Sequence, residues 1–314
     1  MAFPWIRRAW LAAAASALLL VACGGGTVNS QLSPTRVIGF GDAMADVGQT
    51  GSRYTVNDGS VNNWTQFVAN AYDRQLTPTS QGGLSYAQAN ARIVDTPDAA
   101  GDSSTPTIQQ QIDTFLAGST IGSEDLILVS AGTSDVIVQA RGALDGTETV
   151  DQASANAEQA GRELGKQIQR LVAAGAKHVV VAGTYNLGRS PWAVQLGSDG
   201  MLQTLSTSFN NGLLVTLVND GANVLYVDFA LYFNQQTSNG SNVSNYTNAV
   251  CTSVDPGPGI GTGNGQVNSK LCTPATVLPG VNYGDYLFAD RIYPTPRGHT
   301  LFGDYARGRI ENRW

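Results

Sequence analysis

Four aspartates stand at places where an apolar run gives way to a turn. Asp42 and Asp46 lie in Gly41-Asp42-Ala43-Met44-Ala45-Asp46, Asp135 in Gly132-Thr133-Ser134-Asp135, and Asp290 in Ala289-Asp290-Arg291-Ile292-Tyr293. Carboxylates brought to one place can act as an acid/base pair or ligate a hard cation. The same side chains also fix turns by accepting from backbone N–H groups, and that plainer role is the expectation for Asp42 and Asp135. The chain has only two histidines, His178 and His299, so proton transfer near neutral pH has few carriers. His178 opens the run Val179-Val180-Val181 and reads as structural or superficial. Tyr54, Trp64, Tyr185, Trp192 and Tyr293 are candidates to line a pocket for a sugar or an acyl chain.

The elements that must position these residues alternate. Arg36 to Phe40, Asp125 to Ala131, Lys177 to Ala182 and Asn223 to Phe229 are short Val/Ile/Leu-rich runs that read as strands. Between them, Asn63 to Tyr72, Thr107 to Leu116, Asp151 to Ala174 and Met201 to Asn219 carry helical spacing, and Thr295 to Asn312 reads as a closing helix entered through Pro296. Continuous apolar strands alternating with helices imply a parallel sheet covered on both faces, a three-layer α/β/α sandwich of flavodoxin-like type. Ligands of such folds sit at the carboxyl ends of the strands. The turns Gly41-Asp42-Ala43, Gly132-Thr133-Ser134-Asp135 and Thr184-Tyr185-Asn186 each follow a strand, so they should meet at one edge.

The segment Phe40-Gly41-Asp42-Ala43-Met44-Ala45-Asp46 resembles the first block of the SGNH hydrolases, the GDSL lipase/esterase family, whose pattern is Phe-Gly-Asp-Ser-Leu-Ser-Asp. Three further blocks follow in order. Gly83-Leu84-Ser85-Tyr86-Ala87-Gln88-Ala89-Asn90-Ala91-Arg92 is similar to Gly-x-x-Tyr-Ala-x-Gly-Gly-Ala-Arg. Gly132-Thr133-Ser134-Asp135 is similar to Gly-x-Asn-Asp. Asp290-Arg291-Ile292-Tyr293-Pro294-Thr295-Pro296-Arg297-Gly298-His299 is similar to Asp-x-x-His-Pro-Thr-x-x-Gly-His. The resemblance runs from about residue 36 to 311 and implies an ester-hydrolase fold with no cofactor and no metal.

The same resemblance assigns roles, and the chain departs from most of them. The nucleophile position is Ala43, which has no hydroxyl. The base position is Tyr293, a phenol that ordinarily titrates near 10. The orienting acid is kept as Asp290. The oxyanion-hole positions are Ala89, through its backbone N–H, and Ser134 in place of an asparagine amide. Loss of nucleophile and base in a serine hydrolase lowers turnover about 10⁶-fold. His299 matches the family's second histidine; with Ser134 or Ser85 it is the one candidate for a displaced dyad.

Composition bounds the setting. The chain has 314 residues, 42% of them apolar and 13% charged, with a pI near 4.8, and it lacks a basic run. A nucleic-acid partner is therefore not expected. Arg7 and Arg8 precede an apolar stretch from Ala9 to Ala22, too short to span a bilayer comfortably, that ends in Leu20-Val21-Ala22-Cys23-Gly24. This resembles a bacterial lipobox, which implies cleavage after residue 22 and lipidation of Cys23. Removal of residues 1–22 takes the net charge from −6 to −8. Small Gly24, with no Asp beside the Cys, fits export to the outer membrane. Residues 1–22 are thus a signal peptide, 23–35 a lipidated flexible tether, and 36–314 one hydrolase-like domain.

The remaining cysteines, Cys251 and Cys272, form an even pair in an exported chain and are expected to be disulfide-bonded. They tie a Gly-, Asn- and Ser-rich insertion at about 239–280. Metal binding by this pair is not expected, since no histidine lies near. The functional expectation is a monomeric cell-envelope lipoprotein, impaired as a catalyst, that binds an acyl or acetyl-sugar type ligand. The alternative is an active carboxylic-ester hydrolase with a remodelled site.

Overall fold

A computed structural model describes residues 32–60, 63–197, 199–238 and 241–314. The expected signal peptide, the lipidation at Cys23 and the tether up to residue 31 lie outside the described residues.

The central sheet is parallel, with strands β1 (Arg36–Gly41), β2 (Asp125–Ser130), β3 (His178–Ala182) and β4 (Val224–Tyr226) side by side in chain order. Its register sets Gly41 beside Ser130 and Ser130 beside Ala182, so the first three strands end level. Every residue of β2 is buried, which explains the unbroken Val/Ile/Leu character of these runs: both faces are covered. The second sequence block lies along the free edge of β1. The Gly39 N–H donates to the Leu84 carbonyl at 3.0 Å, and the Tyr86 N–H donates to the Gly39 carbonyl at 2.7 Å.

Helices α1 (Trp64–Ala71), α2 (Ile108–Gly118), α3 (Thr133–Leu144), α4 (Val150–Ala173), α5 (Pro191–Leu196), α6 (Asp199–Thr216), α7 (Phe229–Gln236) and α8 (Pro296–Glu311) fill the two outer layers. Helices α2, α3, α4 and α6 pack as one group, and α1, α7 and α8 as another. Local chemistry sets the ends. Thr107 with Gln110 and Thr149 with Gln152 form reciprocal capping boxes at α2 and α4, each satisfying two otherwise unpaired donors. Thr295 caps α8 ahead of Pro296. The four expected helices and the closing helix are present within a few residues of their expected ends.

Three expectations change. The run Asn223 to Phe229 is not one strand: β4 stops at Tyr226, because Asp228 accepts from the Leu231 N–H at 2.8 Å and starts α7 at Phe229. Helix α3 begins inside the third block, where a Gly/Thr/Ser/Asp run reads as a plain turn. Leu32 to Thr35, expected as the end of a flexible tether, is fastened to the domain: Leu32 is buried in the core, and Arg74 Nε donates to the Pro34 carbonyl at 2.8 Å.

The insertion adds β5 (Asn245–Ala249), which pairs in parallel with β8 (Tyr286–Phe288), and the short antiparallel pair β6 (Val254–Asp255) and β7 (Gln266–Val267). Cys251 and Cys272 are disulfide-bonded, as expected. Asn57 grips the same loop: its N–H donates to the Cys272 carbonyl at 2.9 Å, and its Nδ2 reaches that carbonyl at 3.1 Å and the Ser269 carbonyl at 3.3 Å. The bridge closes a separation of 21 residues. Replacing both cysteines by serine is expected to lower stability by about 3 kcal/mol in the chain-entropy view. Urea denaturation measures this; a loss below about 1 kcal/mol would mean that the Asn57 bonds alone, each worth roughly that much, hold the loop.

Candidate functional site

Two glycines let the first and third blocks meet. Gly41 has φ +148°, and a Cβ there would lie 2.0 Å from the Ser130 carbonyl oxygen. Gly132 has φ +115°, and a Cβ there would lie 2.2 Å from the Phe209 ring. With Gly41 this close to Ser130, the Asp42 carboxylate spans from the first block to the third. One oxygen accepts from the Met44 N–H at 3.0 Å. The other accepts from the N–H groups of Gly132 at 3.1 Å, Thr133 at 3.0 Å and Ser134 at 3.4 Å. The third strand-end turn joins them through a 3.2 Å hydrogen bond between the Thr133 and Thr184 hydroxyls. The three turns therefore do converge at the carboxyl edge of the sheet.

The fourth block closes the group. Tyr185 Oη donates to the Ile292 carbonyl at 2.6 Å. Asp290 accepts from the N–H groups of Ile292 at 2.8 Å and Tyr293 at 2.7 Å with one oxygen, and from the Ser269 N–H at 3.1 Å with the other. Asp290 thus fastens its own turn to the insertion; no histidine is among these partners. Asp46 accepts from Gly48 and Gln49, both at 2.8 Å, and from the Ala89 N–H at 2.9 Å. The Ala89 amide, expected as an oxyanion donor, is committed to that carboxylate.

The remaining expected site residues are walled in. Ala43 is 1% exposed, and Tyr293 and Ser134 are 0% exposed. The Tyr293 ring meets the Tyr54 ring edge-on at a centroid distance of 5.1 Å. The Tyr293 hydroxyl and the Ser134 hydroxyl have no hydrogen-bond partner among the described residues. Burial, reinforced by the nearby Asp42 charge, drives the Tyr293 phenol well above its ordinary value. It is held protonated and cannot accept a proton at neutral pH.

His299 is buried at the start of α8, and burial, aided by the Arg53 charge, lowers its pKa to about 3. Its ring faces the Tyr54 backbone carbonyl. Neither the Ser134 nor the Ser85 hydroxyl has a partner among the described residues, so no dyad links His299 to either serine. His178 stacks edge-on against Trp314 at 5.0 Å, a structural placement. The aromatic candidates are core rather than pocket: Trp64, Tyr185, Trp192 and Tyr293 are fully buried, and only Tyr54 borders an open cleft. Among the described residues no group of three or more His, Cys, Asp or Glu side chains could hold a metal ion.

A cleft of about 360 Å³ lies beside these turns, lined by Tyr54, Gln88, Ala89 and Asn90, by Asp98, Ala100, Asp102 and Thr105, and by Asp255, Pro258, Gly259, Asn268, Lys270 and Leu271 of the insertion. Neither Ala43 nor Tyr293 lines it. Asn90 has φ 64°, a left-handed backbone at the family's second glycine position. That signal was readable in the second block, since Asn is the residue that best replaces Gly in this conformation.

The profile of the GDSL-like lipase/acylhydrolase family matches residues 37–306. The chain belongs to that family. Its solved relatives are distant. A member of the lipolytic G-D-S-L family from Veillonella parvula is 14% identical, with 86% of this chain and 95% of that one covered, at a TM-score of 0.47. A mutant of an acetyl-xylooligosaccharide esterase from Geobacillus is 12% identical, with 92% and 98% covered, at a TM-score of 0.44. No curated protein matches the chain in sequence.

Two buried acids give a pH signature. Burial raises Asp42 to about 6 and Asp135 to about 7. For Asp135, the Arg92 guanidinium at 3.4 Å and the Ile93 N–H at 3.1 Å offset burial only in part. Between pH about 4 and about 7 the folded chain holds protons that the unfolded chain releases, so these groups make stability fall as pH rises. Asp135→Asn keeps an acceptor for Ile93 and removes one of these titrations, while Asp42, Asp46 and Asp290, also raised by burial, remain. Its urea midpoint should fall less than the parent's from about pH 4.5 to about pH 7.5. An unchanged slope would show that Arg92 keeps Asp135 ionised in the folded state.

Proposed function

We propose that this protein is a catalytically silent member of its family, exported and held in the cell envelope by a lipid on Cys23, that binds a ligand without cleaving an ester. The observation that carries the reading is the methyl group at the nucleophile position, Ala43, buried beside a base position filled by the unpaired phenol of Tyr293. Two oxyanion positions support it. Ser134 offers a hydroxyl where the family has an amide, and the Ala89 N–H is taken by Asp46. Loss of one such donor alone lowers turnover about 10²- to 10³-fold. The ligand then occupies the open cleft over Tyr54 and Asn90, not the buried centre.

The test is hydrolysis of short- and long-chain p-nitrophenyl esters by protein lacking residues 1–23, beside an Ala43→Ser, Tyr293→His double variant. The parent is expected to give no turnover above the uncatalysed rate. The double variant restores nucleophile and base types but not the oxyanion donors, so it is expected to stay within about tenfold of the parent. Brisk turnover by the double variant would mean that an ester still reaches Ala43. Turnover by the parent, abolished in His299→Ala, would establish an active enzyme with relocated machinery and overturn the reading.

A further inference from the structure

We propose that the edge of the sheet where the strands begin docks on a phospholipid bilayer, with Leu214, Val215 and Val218 entering the headgroup layer and Trp314 beside them. This rests on the reading of Cys23 as a lipid anchor. The strand-end turns at the opposite edge then face away from the membrane.

The docking edge is assembled from several parts of the chain. Thr35, just ahead of β1, donates its N–H to the Glu124 carbonyl at 3.0 Å, just ahead of β2. The register sets Leu126 beside His178, the first residue of β3, and the His178 ring meets Trp314 at 5.0 Å. Arg313 Nη2 donates at 2.6 Å to the carbonyl of Gly221, in the loop between α6 and β4. Gln169 Nε2 donates to the Thr216 carbonyl at 3.0 Å and ties the end of α4 to the end of α6. The point where the chain enters the domain, its last residue and the ends of α4 and α6 therefore share one edge.

Leu214, Val215 and Val218 are 40%, 59% and 74% exposed, and Val218 is the most exposed large apolar side chain among the described residues. Ala173 and Ala174 at the end of α4 and Ala222 ahead of β4 are exposed as well. A single surface valine needs no explanation, but three large apolar side chains within five residues make a patch. Lys177 and Arg313 on the same edge are exposed and form no ion pair among the described residues. Glu124 is an exposed acid there. Long basic stems lie along apolar surface and carry their charge to anionic headgroups. The length of the tether selects the occupant. Residues 24–31, eight in all, separate Cys23 from Leu32, a span of at most about 28 Å. Leu32 lies ahead of β1 and Val218 ahead of β4, three strand spacings apart in the sheet, or about 14 Å. A lipid on Cys23 thus holds the bilayer within reach of the patch at an effective concentration in the mM range, where roughly three apolar side chains suffice to orient the domain. Neither a partner protein nor a second copy is held there by the chain.

The protein carries its own reporter. Without residues 1–22 it has three tryptophans: Trp64 and Trp192 are buried, and Trp314 is half-buried at this edge. The experiment places the lipidated protein on phosphatidylethanolamine/phosphatidylglycerol vesicles, with and without bromine on the acyl chains near the headgroups, and checks attachment by flotation. Bromine quenches indole emission only at short range. Quenching by the brominated lipid is expected, and Trp314→Phe should remove it. Val215→Glu with Val218→Glu makes docking about tenfold or more less favourable and should at least halve the quenching. Val215→Leu with Val218→Leu keeps the patch apolar and should keep the quenching, with circular dichroism confirming that all variants are folded. Floated protein that is not quenched, or quenching indifferent to the glutamates, overturns the docking surface and leaves the lipid anchor standing. A dimer in sedimentation that the glutamates dissolve, with no quenching, gives this face to a second copy and likewise overturns the proposal. Protein that does not float lacks the lipid, and the anchor and the docking surface fall together.

Discussion

The Asp42 carboxylate is the constraint on which the rest depends. It lies fully buried and accepts four backbone N–H groups, one from its own turn and three from Gly132, the N-cap of α3, and the first two residues of that helix. Those three are donors that a helix cannot satisfy internally, at the end where its dipole favours negative charge. Burial still raises the Asp42 pKa to about 6, so the clamp works against its own desolvation. Without it, the strand-end turn after β1 and the start of α3 would bury unpaired amides against each other. Gly41 and Gly132 flank the clamp in conformations that other residues rarely adopt. Both glycines and Asp42 therefore serve the architecture, whether or not chemistry happens beside them.

That separation explains how a family fold coexists with a centre that lacks the family's reactive groups. Asp46 and Asp290 behave as Asp42 does: each accepts three N–H groups, and each ties together segments far apart in sequence. The carboxylates that the family pattern preserves here are the ones with backbone to hold. Ala43, Ser134 and Tyr293 hold no backbone through their side chains, and they are where the chain departs from the pattern. A methyl and an unpaired phenol need no solvated cavity. The Tyr293 ring fills that space and packs edge-on against Tyr54, a contact worth roughly 0.5–1.5 kcal/mol beyond its buried area.

Much of this was legible in the sequence, and the limits have physical causes. The parallel sheet could be read because strands covered on both faces must be apolar throughout, as β2 is. The convergence of the turns followed from parallel strands ending level. The disulfide followed from two cysteines with no competing ligand. The end of β4 was not legible, because Val227 and Phe229 suit a strand as well as a helix start, and only the Asp228 side chain decides between them. The fate of the Ala89 amide was hidden for a similar reason. A backbone N–H carries no residue signature, and its partner Asp46 lies 43 positions away. The aromatic residues misled because a ring that lines a pocket and a ring that fills a core are the same residue type; Tyr185 and Tyr54 are both buried, and only the cleft bordering Tyr54 separates them.

Asn90 shows how one turn position can shape a cleft. A left-handed turn next to an oxyanion position calls for glycine, and asparagine is the side-chain-bearing residue that enters that region at the least cost. Once there, its amide reaches the Gly259 carbonyl of the insertion, which has no place in the catalytic blocks, and the two together wall a cleft. The insertion lacks a large core of its own and depends on Cys251–Cys272, Asn57 and the Asp290 carboxylate for its position. Asp290 is thus a post on which the cleft's second wall is hung. The polar groups of that cleft are held by a rigid framework of strand-end turns and a disulfide-tied loop, and rigidity of this kind favours selective binding whether or not a bond is broken.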